Sequence, residues 1–215
     1  MGDGGAEYQG VSRIEQIAPI AAFLNAMVGL LTLLVAVVLI GPAAMADRRL
    51  LMELAVHSPA PLVVQDLLKF VAAALALVLI AALYLRLVNV APKLVRVATA
   101  FGLVSVACLL GNATLSLAAI SQAAGWAQAQ PNPGARLSAL IGVMGLAAIV
   151  SNGPWYLLVN WTALRSRTLP KALCYLGLAM GALSFVPVLG IGVLLLNIVW
   201  SAGLGVVLLK YAVIR

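Results

Sequence analysis

Asp66 and Lys69 stand three residues apart in a stretch that is otherwise apolar from Leu62 to Leu85 except for Gln65 and Tyr84. On a helix, that spacing puts carboxylate and ammonium on one face. Within a membrane such a pair could hold a proton or bind a polar solute. The plainer reading, which the sequence favours, is an interfacial ion pair. In it Asp66 lies near the positive end of a helix and Lys69 snorkels outward to water. Four further polar residues, Asn25, Asn112, Asn152 and Asn197, lie inside apolar runs. An amide facing lipid is costly, so each must face another helix. They either line a polar cavity or act as inter-helix glue worth about 1 kcal/mol each, and glue is the favoured reading.

Other constellations are weaker. His57 is the single histidine, with Glu53 one turn before it and Asp66 nearby. A metal requires three or four ligands of matched type, and this set has no recognised metal spacing. No metal, cofactor or catalytic residue is predicted. The recurrence of Arg49, Glu53 and His57 every fourth residue describes a wet helical face instead. Cys108 and Cys174 both lie in apolar runs, as free cysteines commonly do. Trp155, Tyr156 and Trp161 look like an aromatic belt at the end of a span. Gly177 and Gly181 form a small-xxx-small face suited to close helix packing.

The elements that must position these residues follow from composition. Of 215 residues, 64% are hydrophobic and 9% charged, against roughly 25% charged in soluble domains. Charge-free stretches cover 16–46, 70–85, 97–135, 137–164 and 172–209. A transmembrane helix takes about 20 apolar residues. The pattern predicts an all-α, polytopic membrane bundle with six transmembrane helices: Ala18–Ile40, Leu62–Leu85, Val97–Leu117, Leu137–Leu158 extending toward Leu164, Ala172–Val186 and Ile191–Leu209. The last two come from dividing a 38-residue run, too long for one span, at Pro187 and Gly190-Ile191-Gly192. Residues 1–16 form a polar tail in which four glycines predict little structure, and 17–215 a single membrane domain. Gly41-Pro42 ends the first span, which is read as permanent rather than as a cleaved signal. Residues 46–57 predict a short amphipathic helix lying in the interface. Gly125, Trp126 and Pro131-Asn132-Pro133-Gly134 mark a turn region, and Gly153-Pro154 a proline kink.

The net charge of +7, from 13 Lys/Arg and 6 Asp/Glu, is read as topological, with no nucleic-acid partner. Nine basic residues fall on the side that holds the tail, 86–96, 165–171 and the C-terminus, and four on the other. The positive-inside rule then makes both termini cytoplasmic. On that orientation Asn112 and Asn197 lie in the outer half, and Asn25 and Asn152 in the inner half. The hairpin between the last two spans predicts that Gly177 and Gly181 pack on the final span.

The segment Asn160-Trp-Thr-Ala-Leu-Arg-Ser-Arg-Thr-Leu-Pro-Lys-Ala-Leu, running into Leu176-Gly177 and Gly181, resembles a recurring segment of a bacterial membrane-protein family, domain of unknown function 4386. The stretch from Leu83-Tyr84-Leu85-Arg86 to Arg96 and Ala98 is similar in character. The resemblance implies six helices and no assigned activity. The leading expectation is therefore a non-enzymatic bundle of the bacterial inner membrane, surrounded by membrane lipid. It would bind a membrane-protein partner, a second copy of itself or a lipophilic ligand. The alternatives are a small carrier with a polar path near Asp66, and a membrane enzyme with an outer-face site at Glu53, His57 and Asp66.

Overall fold

The computed structural model describes residues 4–126 and 134–213; Pro131-Asn132-Pro133 of the expected turn lies outside them. Among the described residues the chain is helical, with no strand. The helices are α1 (Gly4–Leu34, continued by a π-helical stretch Val35–Ile40), α2 (Pro42–Ala46), α3 (Arg48–His57), α4 (Ala60–Leu87), α5 (Pro92–Trp126), α6 (Gly134–Ser166), α7 (Lys171–Leu183) and α8 (Gly190–Val213). A 3₁₀ turn, Pro187–Leu189, joins the last two.

Local chemistry sets the breaks. Gly41 follows the π stretch at φ +83°, a backbone state that glycine adopts without a Cβ penalty. Asp47 caps α3, its side chain accepting the Arg49 N–H at 2.8 Å, which satisfies a donor that a helix start leaves open. After α6 the Thr168 N–H reaches the Ala163 carbonyl (3.1 Å) and the Arg167 N–H the Leu164 carbonyl (3.4 Å). This pair of bonds is a Schellman closure, with Arg167 at φ 55° where a glycine more often sits. One expectation is corrected here. The backbone is helical from Gly4 onward, so Gly4, Gly5 and Gly10 do not unwind the described part of the tail. A neighbouring helical run can carry them, since each glycine costs only about 1 kcal/mol relative to alanine.

Five helices among the described residues are long and apolar enough to cross a membrane: Ile14–Ile40, Ala60–Leu87, Pro92–Gly125, Arg136–Ser166 and Gly190–Tyr211. α7 is apolar but has 13 residues, about 20 Å of helix against a hydrocarbon core of about 30 Å. The long helices pack as a ring. α1 lies against α4, α4 against α5, α5 against α6, α6 against α7, α7 against α8, and α8 against α1. α3 rests on α5. The buried core inside this ring mixes small residues such as Ala22, Ala98 and Ala163 with Leu83, Leu204 and Trp200.

Candidate functional site

Two polar constellations lie within the ring. The first surrounds a cavity of about 130 Å³. Asn25 of α1, Ser105 of α5, Asn152 of α6 and Asn197 of α8 are on its wall, and Ala72 and Ala76 of α4 leave the room for it. Trp155, Tyr156 and Trp200 line it too, together with aliphatic residues such as Leu79, Ile80 and Val106. These three rings meet edge to face, with centroids 4.6 Å (Trp155–Tyr156), 5.2 Å (Tyr156–Trp200) and 6.0 Å (Trp155–Trp200) apart. That is the arrangement ring quadrupoles favour.

A hydrogen-bond chain ties the wall together. Asn25 Nδ2 donates to Ser201 Oγ (2.9 Å), and Ser201 Oγ to Asn197 Oδ1 (3.3 Å). The Tyr156 hydroxyl donates to the same Asn197 oxygen (2.8 Å). Behind it, Trp200 Nε1 donates to Asn160 Oδ1 (3.1 Å), and Asn160 Nδ2 to the Tyr156 carbonyl (2.8 Å). On the far side Ser105 Oγ donates to the Ala148 carbonyl (2.7 Å). Three helices, α1, α8 and α6, are thus bridged by side chains. The chain uses the Asn25 nitrogen as donor and the Asn197 oxygen as acceptor, and both residues also line the cavity.

The second constellation joins α4, α5 and α6. Lys69 Nζ donates to Asp66 Oδ1 at 2.7 Å and to Asn112 Oδ1 at 2.8 Å. Asn112 Nδ2 donates to the Ile141 carbonyl at 2.8 Å. The Asp66 side chain is 3% exposed and that of Lys69 23%. Asp66 Oδ2 is buried with no hydrogen-bond partner among the described residues. Leaving such an atom unpaired costs about 1–3 kcal/mol, and more when it is charged.

Several expectations are corrected by this geometry. Lys69 does not snorkel outward; it turns across the α4–α5 seam because Asn112 offers an acceptor there. Asn25, Asn152 and Asn197 line one cavity, and Asn112 belongs to the Asp66 cluster instead. Trp155 and Tyr156 are buried in the ring interior rather than forming a belt, while Trp161 is 48% exposed. Gly177 and Gly181 do pack closely, but on α6 and not on α8. A Cβ on Gly177 would collide with the Asn160 carboxamide. One on Gly181 would stand 2.8 Å from Leu157 Cγ and 2.9 Å from the Gly153 carbonyl oxygen. A tight hairpin forces α7 and α8 to be neighbours in sequence, yet the smooth face of α7 goes where Gly153 permits the nearest backbone.

Glu53 and His57 are exposed on α3, where Glu53 pairs with Arg49 at 3.4 Å. No cluster of three or more potential metal-ligating His, Cys, Asp or Glu exists among the described residues. The sequence reading missed Ser105, Asn160, Trp200 and Ser201. A signal for most of them was present: Asn152, Tyr156 and Asn160 recur every four residues on α6, and Asn197, Trp200 and Ser201 share a face of α8.

No curated protein and no solved structure matches this chain. The family model described as Domain of unknown function (DUF4386) matches residues 27–214, from within α1 to the end of the chain's last helix, and the chain belongs to that family.

Proposed function

We propose that this chain is a six-span membrane protein whose mid-membrane cavity binds a small lipophilic ligand about the size of one ring and bearing a hydrogen-bonding group. The cavity carries the reading: a space of about 130 Å³ walled by amides, aromatic rings and the aliphatic side chains of Leu79, Ile80, Val106 and Leu109. A dry engineered cavity of about 150 Å³ takes up benzene, so this one suits a phenol-sized guest. Binding pockets of this kind combine apolar walls with a few placed polar groups. Counting α7 as the sixth span is supported by its position between α6 and α8 in the ring. Six spans then put both termini on the cytoplasmic side, where nine of the basic residues gather. α3 lies in the opposite interface, and the membrane is a bacterial inner membrane. The function is non-enzymatic. An outer-face enzyme using Glu53, His57 and Asp66 is disfavoured, because the first two are exposed on α3 while Asp66 is buried on α4.

The test is phenol titrated into the protein in lipid nanodiscs, followed by the fluorescence of Trp155 and Trp200 against a Trp126→Phe, Trp161→Phe background. Saturable quenching is expected. Ala76→Leu, which adds three carbons to the cavity wall, should weaken it at least tenfold. Quenching that is linear in phenol, or unchanged by Ala76→Leu, would remove the reading.

A further inference from the structure

We propose that Asp66, Lys69 and Asn112 form an entry filter for the mid-membrane cavity, selecting neutral solutes that carry a hydrogen-bond donor such as a hydroxyl. The inference rests on the cavity reading above and adds the route and the chemistry of admission. Three observations carry it.

The first is position. Lys69, Ala72 and Ala76 lie at helical spacing on α4, and Asn112, Leu109 and Ser105 do so on α5. In each series the last members line the cavity, and the first are joined by the Lys69–Asn112 bond. Seven residues of helix separate the ends of each series, about 10 Å. Ala72 and Leu109 already line the cavity, so the filter sits about one turn from its edge, along a single seam.

The second is exposure. Lys69 is partly accessible and Asp66 is not, so Lys69 is the group an entering solute meets first. Displacing it from Asn112 opens the α4–α5 side of the seam and uncovers Asp66.

The third is the unsatisfied Asp66 Oδ2. Its partner oxygen is already neutralised by the Lys69 ammonium. A second cation has no counter-charge left to claim, and an anion would meet the carboxylate. The buried Asp66 Oδ2 therefore suits a donor without charge. A hydroxyl supplies that bond in passage, which an ether of equal size does not.

The experiment measures rates and affinities separately, by stopped-flow quenching of Trp155 and Trp200 with phenol and anisole in nanodiscs. In the parent protein phenol should enter at least tenfold faster than anisole, a comparison that needs no variant in this cluster. Asp66→Asn keeps an acceptor for Lys69 but turns the free position into a donor. It should slow phenol at least tenfold and leave the phenol Kd within twofold, because the cavity is untouched. Lys69→Met should speed both solutes. Equal entry rates for phenol and anisole in the parent overturn the filter while leaving the cavity reading intact. So does a change in Kd with no change in rate. If saturable quenching sensitive to Ala76→Leu is absent altogether, both readings fall.

Discussion

Asn160 is fully buried and holds two different parts of the molecule at once. Its oxygen accepts Trp200 of α8, its nitrogen serves the Tyr156 carbonyl, and its flank meets Gly177. These roles are coupled, and the coupling is measurable. Asn160→Ala strands the Trp200 N–H and should cost about 1–3 kcal/mol in thermal unfolding. Gly177→Ala in the parent overpacks the contact and should cost a similar amount, about 1–3 kcal/mol. In the Asn160→Ala background the same glycine change should cost far less, giving an interaction energy of about 1 kcal/mol or more. Additive losses would mean that the α6–α7 contact is not limited by this amide. The glycine pair was legible from sequence as a packing face, because a lone small-xxx-small stripe has few other uses. Its partner was not legible, since nothing in residues 172–186 distinguishes α6 from α8. Asn160 itself was hidden by its neighbours: beside Trp161 and Thr162 it reads as the wet end of a span.

At the scale of elements, sequence and structure agree best where punctuation is strong. Gly41-Pro42 and the break at Pro187 and Gly190 each stand at or beside an observed helix boundary, because proline and glycine act through local backbone geometry. The tail failed for the opposite reason: its glycines are outvoted by a helix that continues into the bundle. α3 shows how an amphipathic pattern becomes a prediction. Arg49, Glu53 and His57 are exposed and Leu51, Leu54 and Ala55 partly covered, but Leu50, which the pattern puts on the covered face, is exposed as well, with α3 resting on α5. For a helix lying in the interface, single cysteines placed from 49 to 56 in a chain lacking Cys108 and Cys174 should label with a helical period in vesicles. Modification should be fast at 49 and 53 and slow at 51, 54 and 55. Uniform labelling along the segment would make it a loop in solution and remove it from the membrane surface.

The whole molecule is a ring, and a ring is what one-dimensional reading cannot see. Each asparagine could be assigned a helix, and each helix an interior face, yet the meeting of Asn25, Asn152 and Asn197 depends on α1 closing against α8. That closure is a contact between segments more than 170 residues apart, Asn25 and Ser201 being the bonded pair. Topology is the property of the whole chain most open to test. Reporter fusions after Arg86, Arg167 and Arg215 should read cytoplasmic, and one after Trp126 external. An external reading at Arg215 alone would turn α7 into a re-entrant or interfacial segment and leave five spans. The closure also sets a schedule for biosynthesis. The ribosome delivers α1 first and α8 last, so Asn25 waits without Ser201 through the making of every other helix. During that interval an amide is held in the bilayer or at the insertion machinery with its bond unmade. A chain stalled or cut before α8 keeps that state, and in it the Asn160 oxygen and the Tyr156 hydroxyl likewise lack the partners that Trp200 and Asn197 supply.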